Sequence, residues 1–230
     1  MEAECIFRRA GAVRRSARGP IALRGWVAGI LLAATLALFG PLLGARAQAE
    51  RHDAYQGFSL TFHAGVGTEM ESVAHVQIDE VLGVGLPADT IGFLKTVPLE
   101  VVEKTATSPG HYGNKRVEID RTVLTQREKP ILLHELMHAL HDQRLPDGFA
   151  NLEILTFFRR AQTLAAFAPR SHMMSNVREY FATTATTYLY GVTAQEPFSR
   201  SKIQDNQPIY FSYLARLFGP DAGHFEGRLH

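Results

Sequence analysis

The chain has 230 residues, of which 46% are hydrophobic, and a formal net charge of +1. This length and composition are typical of one globular domain with an additional tail, and they exclude a chain dominated by low-complexity sequence. The single cysteine, Cys5, excludes a framework of disulfide bonds within the chain.

The amino-terminal part has the pattern of an export segment. Arginines are frequent before residue 25, an uncharged apolar run covers residues 25–44, and two Ala-x-Ala sites follow at residues 45–49. We therefore expect residues 1–47 to be a signal peptide and residues 48–230 to form a domain that is secreted or lies in the periplasm or cell envelope. The alternative is an uncleaved anchor, because about 20 apolar residues can span a bilayer, and this segment would then be the protein's only membrane contact.

Cleavage after residue 47 would leave residues 48–230 with a different net charge from that of the whole chain. The remaining residues contain 17 Lys and Arg and 21 Asp and Glu, so the net charge becomes −4. Nucleic-acid binding then has no electrostatic support, and we expect no nucleic-acid partner. Cys5 is removed with the leader, so a metal site in this domain must use histidine and carboxylate ligands.

The first part of the domain predicts a small sheet and one helix. Alternation of apolar and polar residues indicates strands at residues 58–63, 97–103 and 115–121. The last two strands are predicted as a hairpin or as neighbours. Thr68 and Glu71 have capping-box spacing at the start of a helix that ends at Gly83, and residues 86–89 indicate a turn. Residues 105–113 indicate a loop, in which His111 and Tyr112 could approach a substrate, although we expect an ordinary exposed pair.

Residues 131–143, ILLHELMHALHDQ, contain the H-E-x-x-H pattern. On a helix this spacing places His134 and His138 on one face, where two neutral imidazoles can bind one Zn²⁺. Glu135 is offset by one residue and can reach a water at the open position of the metal. The rest of the helix is apolar, and its polar groups would be costly to bury unless they were coordinated, which disfavours a chance occurrence.

The remainder of the chain is predicted to be mainly helical. Helices are expected at residues 151–168, 176–190 and 209–218, and His141 in the last turn of the motif helix is interpreted as a cationic helix-end residue or a support for the ligands. The predicted fold class is therefore α+β, with a small sheet packed on the motif helix. The helices at 131–143 and 176–190 are expected to face each other across the metal.

A catalytic zinc usually has three protein ligands, so one more residue is needed. The extended pattern H-E-x-x-H-x-x-G-x-x-H is excluded, because the chain has His141 and Arg144 where it requires glycine and histidine. Among the later carboxylates Glu179 is the best candidate, since Asp147 lies in a turn and Glu153 begins a helix.

Glu179 also has an alternative role at its own helix end. Asn176 and Glu179 have the spacing of a capping box, in which the glutamate would turn back to its own helix and never reach a metal. The residues alone leave both alternatives open.

The pairing of the motif helix with the later segment Glu-Tyr-Phe-Ala at residues 179–182 resembles the gluzincin metalloproteases, whose type member is the anthrax lethal factor catalytic domain. Residues 86–219 also resemble a family of exported bacterial metallopeptidases, with LLHELMHALHD, LPDGFANLEI, SNVREYFATTATTYLYG and YLARLFG as landmarks. The resemblance implies a zincin-like fold, a peptide or protein substrate, and Glu179 as the third metal ligand with His134 and His138.

The chain departs from the lethal factor pattern at two positions. His172 stands seven residues before Glu179, where that pattern has a tyrosine that supports the oxyanion, and Thr183 stands where it has a second glutamate. An imidazole can donate a hydrogen bond or carry positive charge, so His172 is a candidate catalytic residue, with Tyr180 as the alternative.

Two functions remain at this stage. The first is an exported zinc metallopeptidase in which Glu135 is the general base. The second is a catalytically idle zinc-binding domain that serves as a binding or structural module at the cell envelope. A structural zinc site needs no base beside the metal, so Glu135 favours the first.

Overall fold

The computed structural model describes residues 49–105, 108–126, 129–220 and 222–223. The predicted signal peptide, residues 1–47, lies outside these ranges, so its cleavage stays a prediction. Within them, no helix has the length and apolar character needed to cross a membrane.

Five strands form one mixed sheet in the order β1-β2-β3-β5-β4. Strands β1 and β2 are antiparallel, β2, β3 and β5 run parallel, and β4 returns antiparallel to β5 at one edge. The strands are β1 (Arg51–Tyr55), β2 (Phe58–Phe62), β3 (Leu99–Val102), β4 (Gly110–Gly113) and β5 (Arg116–Asp120).

The three strands expected from alternation are present as β2, β3 and β5. β3 and β5 are parallel neighbours, so the hairpin alternative is wrong. The predicted loop at residues 105–113 is wrong in its second half, because β4 occupies Gly110–Gly113. Asn114 and Lys115 both have positive φ in the two-residue turn between β4 and β5, as hairpin turns of this length require.

Helices make up most of the carboxyl-terminal half, and the predicted α+β class is confirmed. They are α1 (Glu69–Gly83), α2 (Ala88–Leu94), α3 (Ile131–Gln143), α4 (Leu152–Thr163), α5 (Val177–Tyr190), α6 (Arg200–Asn206) and α7 (Pro208–Phe218). Short 3-10 helices lie at Arg121–Thr125, Gly148–Ala150 and His172–Met174. The capping box predicted at Thr68 is wrong, because Thr68 has helical backbone angles and its side chain makes no capping hydrogen bond. The turn predicted at residues 86–89 ends early, since α2 begins at Ala88.

Helix α3 lies in the core, between the β4–β5 side of the sheet and α5. Its apolar side chains are almost fully buried, namely Leu132, Leu133, Leu136, Met137, Ala139 and Leu140. Full burial of one leucine side chain stabilises a fold by roughly 1.5–3 kcal/mol. Packing of these side chains therefore holds α3 in place, and the polar residues of the motif lie on the remaining face of the helix.

Backbone groups at the beginning of α3 form hydrogen bonds with a residue from another helix. Pro130 precedes α3 and supplies no side-chain cap. Instead the buried side chain of Gln77, in α1, accepts a hydrogen bond from the backbone N–H of Leu132 at 2.9 Å and donates one to the carbonyl of Lys129 at 3.0 Å. Gln77 thus fixes the start of the motif helix, where backbone N–H groups have no partner inside the helix.

Strand β4 approaches α3 more closely than a side chain would allow. A Cβ atom added to Gly110 would lie 2.8 Å from Cγ of Glu135 and 2.8 Å from Cγ2 of Ile131. Contacts this short do not occur without displacement, so glycine at this position lets the edge strand lie against the motif helix.

We expect Gly110→Ala to destabilise the domain by about 1–3 kcal/mol, because the new methyl group must displace β4 or α3. Gly92 is the matched control: it lies in α2, and a Cβ there meets nothing within 4 Å. Gly92→Ala should therefore stabilise the domain, by up to about 1 kcal/mol, through its higher helix propensity. Denaturant unfolding measures both, and unchanged stability of Gly110→Ala would contradict the close approach of β4.

Candidate metal centre

Helices α3 and α5 pack face to face beside the edge strand β4. A cleft of about 950 Å³ opens between these three elements and the loop at residues 193–195. The residues of the H-E-x-x-H pattern and Glu179 line this cleft, together with all four residues of β4. The structure therefore brings the predicted metal ligands into one accessible cavity.

His134, His138 and Glu179 converge with the spacing that a tetrahedral ion requires. The two Nε2 atoms are 3.2 Å apart, Nε2 of His134 lies 3.3 Å from Oε2 of Glu179, and Nε2 of His138 lies 3.4 Å from Oε1. Ligand atoms about 2.0–2.2 Å from a tetrahedral zinc are separated by about 3.3 Å. Two imidazoles and one carboxylate are also the donor set of a catalytic zinc site, so these residues fit Zn²⁺.

The geometry of α5 separates the two roles considered for Glu179. The side chain of Asn176 accepts hydrogen bonds from the backbone N–H groups of Arg178 and Glu179, at 2.9 and 3.1 Å, and so caps the helix. The Glu179 carboxylate lies against the imidazoles of α3 instead of turning back to the helix end. Half of the predicted capping box is present, and it leaves Glu179 free to face the cleft.

One carboxylate oxygen of Glu179 has an unusual environment. Oε2 is buried and accepts no hydrogen bond of acceptable geometry from the described residues, although two imidazole nitrogens are within 3.3 Å. A buried carboxylate oxygen that accepts no hydrogen bond is expected where the oxygen binds an ion. Burial opposes ionisation, but the contacts with His134 and His138 outweigh it and hold the pKa of Glu179 well below its usual range. The carboxylate is therefore ionised, as a metal ligand must be.

Glu135 lies beside this group of ligands with its carboxyl group in the cleft. Burial raises the pKa of Glu135 to about 7, a shift that the nearby His134 opposes and the Glu179 carboxylate reinforces. The nearby backbone N–H of Tyr112, in β4, also opposes the rise in the pKa of Glu135. A carboxyl group whose pKa lies near neutrality can both accept and return a proton, which suits a general base.

His172 also reaches the site, from the 3-10 helix His172–Met174. Its Nε2 atom lies 2.9 Å from Oε2 of Glu179, and 56% of its side chain is exposed to solvent in the cleft. Tyr180, the alternative to His172, lies elsewhere. Its side chain is fully buried and its hydroxyl group donates to Gln207, so the alternative in which Tyr180 supports the oxyanion is wrong.

His141 is a buried neutral residue. Its ring packs between Phe149 and Phe181, with centroid distances of 5.2 and 4.8 Å, and neither ring nitrogen has a hydrogen-bond partner among the described residues. Burial lowers the pKa of His141 to about 4. The interpretation as a cationic helix-end residue is therefore wrong, because desolvation outweighs the attraction of the helix dipole.

Tyr112 is a residue of the site, whereas the sequence favoured an ordinary exposed loop residue over one that approaches a substrate. Its hydroxyl group donates to Oδ2 of Asp142 at 2.6 Å and accepts from Nε2 of Gln143 at 3.0 Å, which ties β4 to the end of α3. One residue in the sequence could have indicated strand β4. Asn114 favours a two-residue hairpin turn, and such a turn directly before the alternating strand β5 implies a second strand on its other side. His111 is exposed, as expected, although it too lines the cleft.

The sheet, the motif helix and the facing helix α5 together define a zincin-like α+β domain. No protein family and no curated protein sequence matches the chain. Among solved structures the chain is similar to the Pro-Pro endopeptidase PPEP-2 from Paenibacillus alvei, with 18% sequence identity and a TM-score of 0.51. The match covers 69% of this chain and 96% of that chain. At this identity the similarity shows the fold alone.

We expect the domain to bind one Zn²⁺ per chain and to lose it when His134, His138 or Glu179 is replaced by alanine. Glu153→Ala is the control, because Glu153 lies outside the cleft beside Arg216 and should not affect the metal. Metal content by mass spectrometry measures both. The affinity for zinc should also fall as the pH is lowered through the range in which histidine becomes protonated, because an imidazole must be neutral to bind the metal. A full equivalent of zinc in Glu179→Ala would show that the third ligand lies elsewhere.

Proposed function

We propose that the protein is an exported zinc metallopeptidase. The observation that carries this proposal is the convergence of His134, His138 and Glu179, at 3.2–3.4 Å, beside the buried carboxyl group of Glu135. A metal site with an open position and an adjacent base is the arrangement that hydrolases use. Export is supported by the predicted signal peptide at residues 1–47.

The edge strand supports a peptide as the substrate. β4 pairs with β5 on one side only, and its residues line the cleft. An extended peptide can add to such an edge through main-chain hydrogen bonds, which would place one of its peptide bonds beside α3. The fold similarity to an endopeptidase is consistent with a peptide or protein substrate.

In this proposal each site residue has one task. A bound Zn²⁺ would polarise the scissile carbonyl and lower the pKa of a water molecule. Glu135 accepts a proton from the attacking water as the new carbon–oxygen bond forms, and returns it to the amide nitrogen as the carbon–nitrogen bond breaks. Tyr112, whose hydroxyl group is bonded to Asp142 and Gln143 at the end of α3, holds β4 beside Glu135.

His172 is proposed to stabilise the negative charge that develops on the carbonyl oxygen. Its ring is exposed in the cleft, and an imidazole N–H can donate a hydrogen bond to an oxyanion. Its contact with Oε2 of Glu179, at 2.9 Å, allows a different role as a positioning residue for the metal ligand.

The alternative of a catalytically idle zinc-binding module is less well supported. A structural zinc site is closed by four protein ligands, whereas the only group of this kind in the cleft, within the described residues, consists of His134, His138 and Glu179. The open side of this group faces a cleft that also contains a buried base.

Glu135→Gln should separate catalysis from metal binding. Glutamine keeps the size of the side chain but cannot accept the proton, so we expect hydrolysis of any substrate of the wild type to be at least about a hundredfold slower. The zinc content should stay at one equivalent, because Glu135 is not a ligand in this scheme. A wild-type rate would exclude the mechanism, and loss of zinc would place Glu135 in the coordination shell. Glu153→Gln is the control for a neutralised surface carboxylate.

His172→Phe should lower kcat by about 10²-fold if the imidazole donates to the oxyanion, with the zinc affinity unchanged. His172→Tyr should keep much of the activity, because a phenol can also donate a hydrogen bond. If His172 instead positions Glu179, the Phe variant will bind zinc about 10–100-fold more weakly and keep its kcat when saturated with metal. Turnover and zinc titration of the same samples distinguish the two roles.

A further inference from the structure

We propose that Arg178 determines specificity by binding a carboxylate group of the peptide substrate. This inference rests on the proposed peptidase function and adds a substrate class to it. Arg178 directly precedes Glu179 in the first turn of α5, and its side chain lines the same cleft as the metal ligands. It therefore places a permanent positive charge next to the site of hydrolysis.

Among the residues that the structure describes, no carboxylate pairs with the charge of Arg178. Five other arginines of the described residues, Arg51, Arg116, Arg121, Arg144 and Arg216, each have a carboxylate oxygen within 4.0 Å. Arg178 has none in the same parts of the chain, and neither have Arg159, Arg160, Arg170 and Arg200, which lie outside the cleft. Asp142, an acidic residue of the same cleft, is engaged instead by the hydroxyl group of Tyr112.

An unpaired arginine is ordinary on an open surface, but Arg178 is held in the cleft by an aromatic ring. Its Cζ atom lies 4.2 Å from the centroid of the Phe149 ring. A guanidinium group over an aromatic face is attracted by the ring and keeps N–H donors at its edge, in the fork geometry that matches a carboxylate. The side chain is thus oriented while its hydrogen-bonding groups stay available.

The same ring connects Arg178 to the edge strand. Phe149 makes an edge-to-face contact with Tyr112, with centroids 6.2 Å apart, and Tyr112 belongs to β4. The series Arg178–Phe149–Tyr112 crosses the cleft from α5 to β4 near the carboxyl end of α3. A peptide bound along β4 would pass the guanidinium group, so a carboxylate on that part of the peptide can form an ion pair with it.

Two sources can supply this carboxylate, an acidic side chain or the free carboxyl terminus of the peptide. The test starts with a diverse peptide library incubated with the zinc-loaded wild type. Cleaved sequences are then resynthesised as Glu/Gln pairs at each position around the scissile bond, and as carboxyl-terminal acid and amide pairs. We expect at least one pair to show about a tenfold higher kcat/KM for the carboxylate form, the magnitude of a hydrogen-bonded charge pair.

The variants assign that preference to Arg178. Arg178→Gln should reduce the preference in kcat/KM to within about twofold, because only the cleavage of the carboxylate peptide is slowed. Arg178→Glu should reverse the preference, so that a peptide with lysine at the same position is cleaved faster. Arg159→Gln, an exposed arginine of α4 outside the cleft, is the matched control and should keep the preference. A preference that survives in Arg178→Gln would overturn the inference, as would a wild type that cleaves peptides without any carboxylate preference.

A binding measurement keeps this inference distinguishable from the proposed function. Peptides of the same library that bind zinc-loaded Glu135→Gln protein, a measurement that needs no turnover, are resynthesised as the same Glu/Gln and acid/amide pairs and titrated against that protein. If the wild type cleaves no peptide, the proposed function fails, but tighter binding of the carboxylate form that is lost in the double variant with Arg178→Gln would still support the role of Arg178. Equal binding of both forms would overturn it.

Discussion

The structure depends on one constraint, that helix α3 must be a core helix and also carry ionisable groups. Burial of an unpaired charged group costs several kcal/mol, so the charged groups of α3 are tolerated only where they meet one another or an ion, whereas His141 is buried in its neutral form. The apolar side chains of α3 fill the core on one side, and His134, Glu135 and His138 face the cleft on the other. Gln77 completes the arrangement by satisfying the start of the helix from α1.

Helix α5 meets the same constraint by a different device. Asn176 takes the N–H groups of the first turn, so the carboxylate of Glu179 is free to face α3. Further along the helix, the hydroxyl groups of Thr184 and Thr187 bond back to carbonyl groups of their own helix. Polar side chains can therefore be buried in α5 while one carboxylate is directed at the imidazoles.

The edge strand β4 links the parts of the site. The absence of a side chain at Gly110 allows the strand to contact α3, and Tyr112 then provides a hydroxyl group for Asp142 and an edge-to-face ring contact with Phe149. The base Glu135, the wall of the cleft and Arg178, which lies over Phe149, are thus connected through the four residues of β4. A displacement of β4 would affect the base and the substrate surface together.

The sequence by itself determined the elements with strong local signals: the α3 helix from Ile131 to Gln143, its histidine pair, and three of the five strands. These follow from periodicity, which depends only on neighbours along the chain. The third metal ligand, Glu179, was predicted only from the resemblance to the gluzincin metalloproteases, because the residues alone were also consistent with a capping box. Only the tertiary structure decided the neutrality of His141, the burial of Tyr180 and the strand at Gly110–Gly113. Each depends on which distant residues cover it: desolvation by Phe149 and Phe181 sets the charge of His141, packing in the helical core buries Tyr180, and pairing with β5 makes a strand of a glycine-rich segment that has little strand propensity of its own.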